Sequence, residues 1–245
     1  LWDNGERART SDLLTEVVEA AGTDLPYFGL QQARFWQQSD LKEKARARMQ
    51  ALRDAHPERT SAWLRLAEAF RAESWEEDQC AALRAVLERT PDWPRVALDL
   101  GLCLEDLRFY PRAEAIYKEV RESLPNSHRA LTRLHWHAQG NDEFVAAERY
   151  ARELTRHWPH LRESWLRLAE TLRRAGDRAG AETALESAIA IDPDDPVPHR
   201  RLAALAYQAG EVEPAVERWR AALERAPEDA RLANRLAWLA PAAQG

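Results

Sequence analysis

Apolar residues fall along this chain at helical intervals, and the pattern of intervals itself recurs. Blocks of 34 residues, set so that Pro57, Pro91, Pro125, Pro159, Pro193 and Pro227 share position 32, bring like residues into register. Position 7 reads Gln32, Leu66, Leu100, Leu134, Leu168, Leu202 and Leu236, and position 8 reads Ala33, Ala67, Gly101, His135, Ala169, Ala203 and Ala237. Position 20 reads Ala45, Gln79, Ala113, Ala147, Ala181 and Ala215, while position 24 reads Met49, Leu83, Tyr117, Ala151, Leu185 and Trp219. Offsets 4, 7, 8 and 11 put an apolar stripe on a first helix, and offsets 20, 24, 27 and 28 put another on a second. Large and small residues hold complementary places, so each block predicts a helical hairpin.

The punctuation agrees with that reading. Gly140-Asn141, Gly176-Asp177 and Gly210-Glu211 fall between the two helices, where glycine accepts the left-handed conformation that ends a helix. Pro111 and Pro214 fall in the first turn of a second helix, where no hydrogen bond is lost, and the position-32 proline forbids continuation into the next block. The expected organisation is an all-α solenoid, one continuous domain over 1–245. Its complete units are 26–59, 60–93, 94–127, a degenerate 128–161, 162–195 and 196–229, with 1–25 ending a truncated unit and 230–245 beginning a partial one.

A large residue at 4, Leu at 7, Ala or Gly at 8, Ala at 20 and Pro at 32 resembles the tetratricopeptide repeat (TPR) family, and the resemblance runs over essentially the whole chain. It implies a right-handed superhelix of antiparallel helix pairs whose first helices line a concave groove that binds a peptide or partner segment, with no catalytic role. The family's carboxylate clamp needs Lys at 5 and Asn at 9 of one repeat. Complete repeats here carry neither, and Asn234 at position 5 is only an echo, so the resemblance does not extend to binding chaperone C-termini.

Composition narrows the field further. Charged residues make up 31%, with 41 acidic against 35 basic side chains and a formal charge of −6, so no global field recruits nucleic acid. Cys80 and Cys103 are too few for a disulfide framework or a Cys-only zinc site, and read as small core thiols. Apolar stretches are broken by Arg or Glu every few residues, which argues against membrane insertion. The start Leu1-Trp2-Asp3-Asn4 is no signal peptide, and the missing initiator Met points to a lost N-terminus, so the compartment stays open between cytoplasm and periplasm. Arg far outnumbers Lys, which occurs only at 42, 44 and 118, as in GC-rich bacterial proteins.

Positions 2, 5, 6, 9, 12 and 13 are left facing the groove. The first two complete repeats offer a mixture that includes Tyr27, Gln31, Arg34, Arg65 and Glu68, and the third an apolar and acidic patch of Leu98, Asp99, Leu102, Glu105 and Asp106. From the fourth onward the face turns basic and aromatic: Arg129, Arg133, Trp136, Arg167, Arg173, Arg174, Arg200, Arg201, Tyr207, Arg231, Arg235 and Trp238, with Glu163 and Glu170 among them. Arg forks a carboxylate bidentately and an aromatic anchors an apolar side chain, so this half predicts an acidic ligand segment. The competing reading is a solvated face of intramolecular ion pairs.

His128, His135, His137, His157 and His160 crowd into one repeat, but their spacing does not converge as metal ligands would; His135, at a small-residue position, reads as local repacking. No nucleophile elbow, phosphate loop or metal motif is present, so neither catalytic residues nor cofactors are expected. Two other readings stay open: a non-catalytic recruiting arm of a larger bacterial enzyme, of glycosyltransferase or transglutaminase-like type, and self-assembly into homo-oligomers through uncapped end repeats.

Overall fold

The computed structural model describes residues 60–72 and 74–239, together with Ala47 and Ala51. The readings made above on residues 1–46, 48–50, 52–59 and 240–245, including Gln31, Arg34, Met49 and Pro57, lie outside the described residues. Among the described residues every regular element is a helix: α1 (Thr60–Ala72), α2 (Glu76–Arg89), α3 (Pro94–Asp106), α4 (Tyr110–Ser123), α5 (His128–Gly140), α6 (Phe144–His157), α7 (Arg162–Arg174), α8 (Arg178–Ile191), α9 (Pro196–Gln208), α10 (Val212–Arg225) and α11 (Ala230–Leu239). First helices start at 60, 94, 128, 162, 196 and 230, and second helices at 76, 110, 144, 178 and 212, always 34 residues apart. None is long and apolar enough to cross a membrane.

The chain divides into two compact units, one ending at Ser123 and the other beginning at Leu124. In the first unit, α1 packs on α2, α2 on α3 and α3 on α4; in the second, each helix from α5 to α11 packs on the next. Adjacent helices are therefore paired into antiparallel hairpins, and a first helix such as α7 is covered from both sides, by α6 and α8. That double cover widens the buried face beyond the stripe expected from the sequence. Position 3 (Val96, Ala130, Ser164, Pro198) and position 10 (Cys103, His137, Thr171, Leu205) are buried, whereas position 4 is buried at Trp63 and Leu131 but half-exposed at Trp165 and His199. Trp165 donates its indole N–H to the Pro159 carbonyl at 2.7 Å.

The five hairpin turns among the described residues share one hydrogen-bond pattern. The position-16 N–H reaches back to the position-11 carbonyl, as in Trp75 to Phe70 (3.0 Å), Glu143 to Ala138 (2.8 Å) and Glu211 to Ala206 (3.0 Å), and the position-15 N–H bonds position 12. This double bond is the Schellman closure, which requires a left-handed residue between helices. Position 15 has positive φ in all five cases: Ser74, Arg108, Asp142, Gly176 and Gly210. The Gly140-Asn141 expectation is corrected here, because Gly140 is the last residue of α5 and Asp142 takes the left-handed place. Backbone hydrogen bonds hold the turn in register even where the glycine is misplaced.

Each hairpin closes over a large–small pair. A Cβ on Gly101 would run into the Tyr117 ring, Ala169 and Leu185 share one apolar cluster, and Ala203 and Trp219 share another. In the fourth repeat the sizes are exchanged: His135 and Ala151 are both buried. The cysteines depart from the sequence reading too. Cys80 on α2 and Cys103 on α3 are joined in a disulfide, Cα atoms 5.7 Å apart, because buried positions 21 and 10 of successive repeats come face to face.

Replacing Arg108 by Gly relieves a bulky left-handed residue and should raise the unfolding free energy by up to about 1 kcal/mol, while Gly176→Ala should lower it by about 1 kcal/mol; urea unfolding of both variants checks the pair. Reducing the disulfide, which closes a segment of 23 residues, should cost about 3 kcal/mol, read as a lower urea midpoint in reductant than in its absence.

Candidate functional site

The second unit presents the first helices α5, α7, α9 and α11, and position 6 of each is an arginine: Arg133, Arg167, Arg201 and Arg235. Between α5, α7 and α9 lies an open cavity of about 300 Å³, lined by His135, Gln139, Glu163, Leu166, Arg167, Glu170 and Arg201. Its two acids are already engaged. Arg173 grips Glu170 through Nε (3.1 Å) and Nη2 (2.7 Å), and that hydrogen bonding holds the carboxyl below its usual range. Glu163 is likewise held low, first by its own backbone N–H and then by Arg162, whose Nη2 lies 2.7 Å away.

The basic groups of the cavity are less well matched. Arg167 is half-buried, and burial together with the Arg133 charge pulls its guanidinium below the usual arginine range against the opposing pull of Glu163. Among the described residues it makes no ion pair. Arg201 donates Nη1 to the Leu166 carbonyl at 3.1 Å. Two cations therefore line a cavity whose own carboxylates are held by other arginines.

His135 forms the floor of this network. The Thr171 hydroxyl donates to the Arg167 carbonyl (2.8 Å), so it accepts from Gln139 Nε2 (3.0 Å) and from His135 Nε2–H (2.8 Å). That fixes the tautomer with the proton on Nε2 and leaves Nδ1 as a buried acceptor with no partner among the described residues. Burial, with the Arg167 charge adding to it, pushes the imidazole pKa down to about 4, so the ring is neutral at physiological pH.

A second cavity of about 300 Å³ lies one repeat on, lined by Arg200, Trp219, Asp229, Arg231, Leu232 and Arg235. Arg200 donates to Asp229 at 3.0 Å, and the Arg235 guanidinium sits 5.0 Å from the centre of the Trp219 ring. The Trp219 indole N–H is buried without a partner among the described residues.

Arginines expected on the face are occupied by their own chain, among them Arg173, Arg174 and Arg200. Arg173 holds Glu170 and Arg200 holds Asp229, while Arg174 reaches back from α7 to Asp142 (2.8 Å) and the Gln139 carbonyl (3.2 Å) across the Phe144 ring. Arg129 and Arg231 are exposed, as are Trp136 (48%), Tyr207 (40%) and Trp238 (76%). Tyr207 leans on Trp219 at 5.5 Å, and Trp136 meets His137 edge-on at 5.1 Å. Of the other histidines, His128 and His157 both pack against Trp158. Sequence reasoning missed Gln139, Thr171 and Trp219 as site residues. Gln139 was findable, since position 12 had been assigned to the open face.

Sequence models of the tetratricopeptide repeat match residues 172–239 in one version and 34–77 and 136–196 in another. No curated relative matches the sequence. The fold is similar to MamA, residues 41 to the end, from Desulfovibrio magneticus RS-1, with TM-score 0.63 and 15% identity over 70% of this chain and 97% of that one. It is also similar to YrrB, a TPR protein with an unusual peptide-binding site (TM-score 0.61, 14% identity, 76% of this chain and 96% of that one). A tetratricopeptide repeat protein from Parabacteroides merdae aligns over 96% of this chain and 92% of its own length, with TM-score 0.51 and 14% identity.

The depressed His135 pKa has a stability consequence with a defined sign. Its stabilising contribution is complete above the unfolded imidazole value of 6.5 and is lost as pH falls toward about 4, where the unfolded chain takes up a proton that the fold resists. Urea unfolding should show a loss of about 3 kcal/mol across that window, and His135→Gln should flatten that part of the profile.

Proposed function

Because this chain belongs to the tetratricopeptide repeat family, whose stacked hairpins are generally non-catalytic protein–protein interaction scaffolds, we propose that its second unit docks an acidic or carboxylate-bearing segment of a partner protein on the face of α5, α7, α9 and α11. The observation that carries this reading is the charge arrangement of the first cavity. Arg167 and Arg201 line it, while Glu163 and Glu170 are held by Arg162 and Arg173. A carboxylate entering there meets a half-dehydrated guanidinium and receives charge-assisted hydrogen bonds stronger than those of a surface pair. The exposed rings of Trp136, Tyr207 and Trp238 supply apolar anchorage beside the charges. The peptide-binding site ascribed to YrrB supports the use of such a fold for this purpose.

Isothermal titration with acidic and basic peptides of equal length tests the proposal. Acidic peptides should bind and basic ones should not, and Arg167→Gln should weaken the acidic complex by about tenfold. Equal binding of both peptide classes would remove the proposal.

A further inference from the structure

The charge reading leaves open how a partner would be read along its length, and the arginines carry information on that point. Arg133, Arg167, Arg201 and Arg235 occupy one register position, one on each of four successive first helices. Neighbouring first helices touch through side chains: His135 meets Thr171 between α5 and α7, Arg201 meets the Leu166 carbonyl between α9 and α7, and Arg200 meets Asp229 at the start of α11. Helices that meet only through such side-chain contacts stand near or slightly beyond the roughly 8 to 10 Å of closely packed pairs, so the arginines recur at about 10 Å. A polypeptide extended as polyproline II advances about 3.1 Å per residue with about three residues per turn, so every third side chain returns to the same side after about that interval.

The unsatisfied groups favour an extended ligand over a helical one. His135 Nδ1 is a buried acceptor without a partner among the described residues and its ring lines the first cavity; the Trp219 indole N–H is a buried donor in the same condition and its ring lines the second. An extended backbone brings free N–H and C=O groups of both kinds. A helix has already paired its own and brings none to the polar side chains that line the cavities.

We propose that the four position-6 arginines act as a spacing ruler, reading an extended acidic segment that carries a carboxylate at every third residue, one per repeat. This rests on the acidic-segment reading above and adds conformation and spacing to it. Arg167 and Arg201 are the central rungs: their guanidiniums line the cavity and make no ion pair among the described residues. Arg235, stacked on Trp219, holds the last rung beside the second cavity.

Three synthetic peptides of equal length and equal glutamate count test the ruler on the full chain, with glutamates at every third position, at every fourth position, or in one block. Fluorescence anisotropy at fixed low salt should show the every-third peptide binding at least about tenfold more tightly than the other two. Arg201→Gln should erase most of that preference while far-ultraviolet circular dichroism stays unchanged. Should that variant unfold, Arg167→Gln provides the same comparison from the neighbouring rung. Equal affinity for all three peptides overturns the ruler and leaves the acidic groove standing, whereas no binding by any of them overturns both.

Discussion

The space between the two helices of a hairpin is fixed by the backbone, and positions 8 and 24 divide it between them. Gly101 faces Tyr117, Ala169 shares a cluster with Leu185, and Ala203 with Trp219. Dense packing tolerates neither excess volume nor a void, so a large residue on one side demands a small one on the other. In the fourth repeat the buried residues at these two positions, His135 and Ala151, have the sizes exchanged. The exchange places a polar ring where every other described repeat has a small apolar residue. Thr171 and Gln139 follow from it as the groups that satisfy Nε2–H and each other. The candidate cavity is thus a packing variation with a polar consequence.

Most of the fold was legible because it is local. Helix starts follow the 34-residue proline interval, and positions 7, 8, 20, 24 and 27 are buried wherever the structure describes them within complete repeats. What escaped depends on three-dimensional neighbours. Gly140 looked like a turn residue, yet the Schellman bonds placed Asp142 in the left-handed position. Cys80 and Cys103 sit 23 residues apart in different repeats, and only the stacking of α2 on α3 brings them together. The position-6 arginines could be named from the sequence alone. Which arginines were already occupied could not, because the partners of Arg174 and Arg200 lie 32 and 29 residues away.

Charge within the second unit is sorted more finely than its total implies. The chain as a whole is acidic, with a formal charge of −6, yet the first-helix face concentrates guanidiniums and assigns its few carboxylates to arginines of its own. A long-range field from the whole molecule would not draw an acidic segment in. Recognition of the acidic segment proposed above would then rest on short-range, partly dehydrated contacts, which favour selectivity over speed of encounter.

The disulfide between α2 and α3 also changes how the first unit answers to mechanical load. Stacked hairpins interact only with their neighbours, so tension applied along such a stack peels them off singly. Cys80 and Cys103 bolt the α1–α2 hairpin to the α3–α4 hairpin, so that under tension these two cannot part at their junction. An oxidising environment would make that stretch of the chain a stiff handle, and a reducing one would turn it back into two separable links.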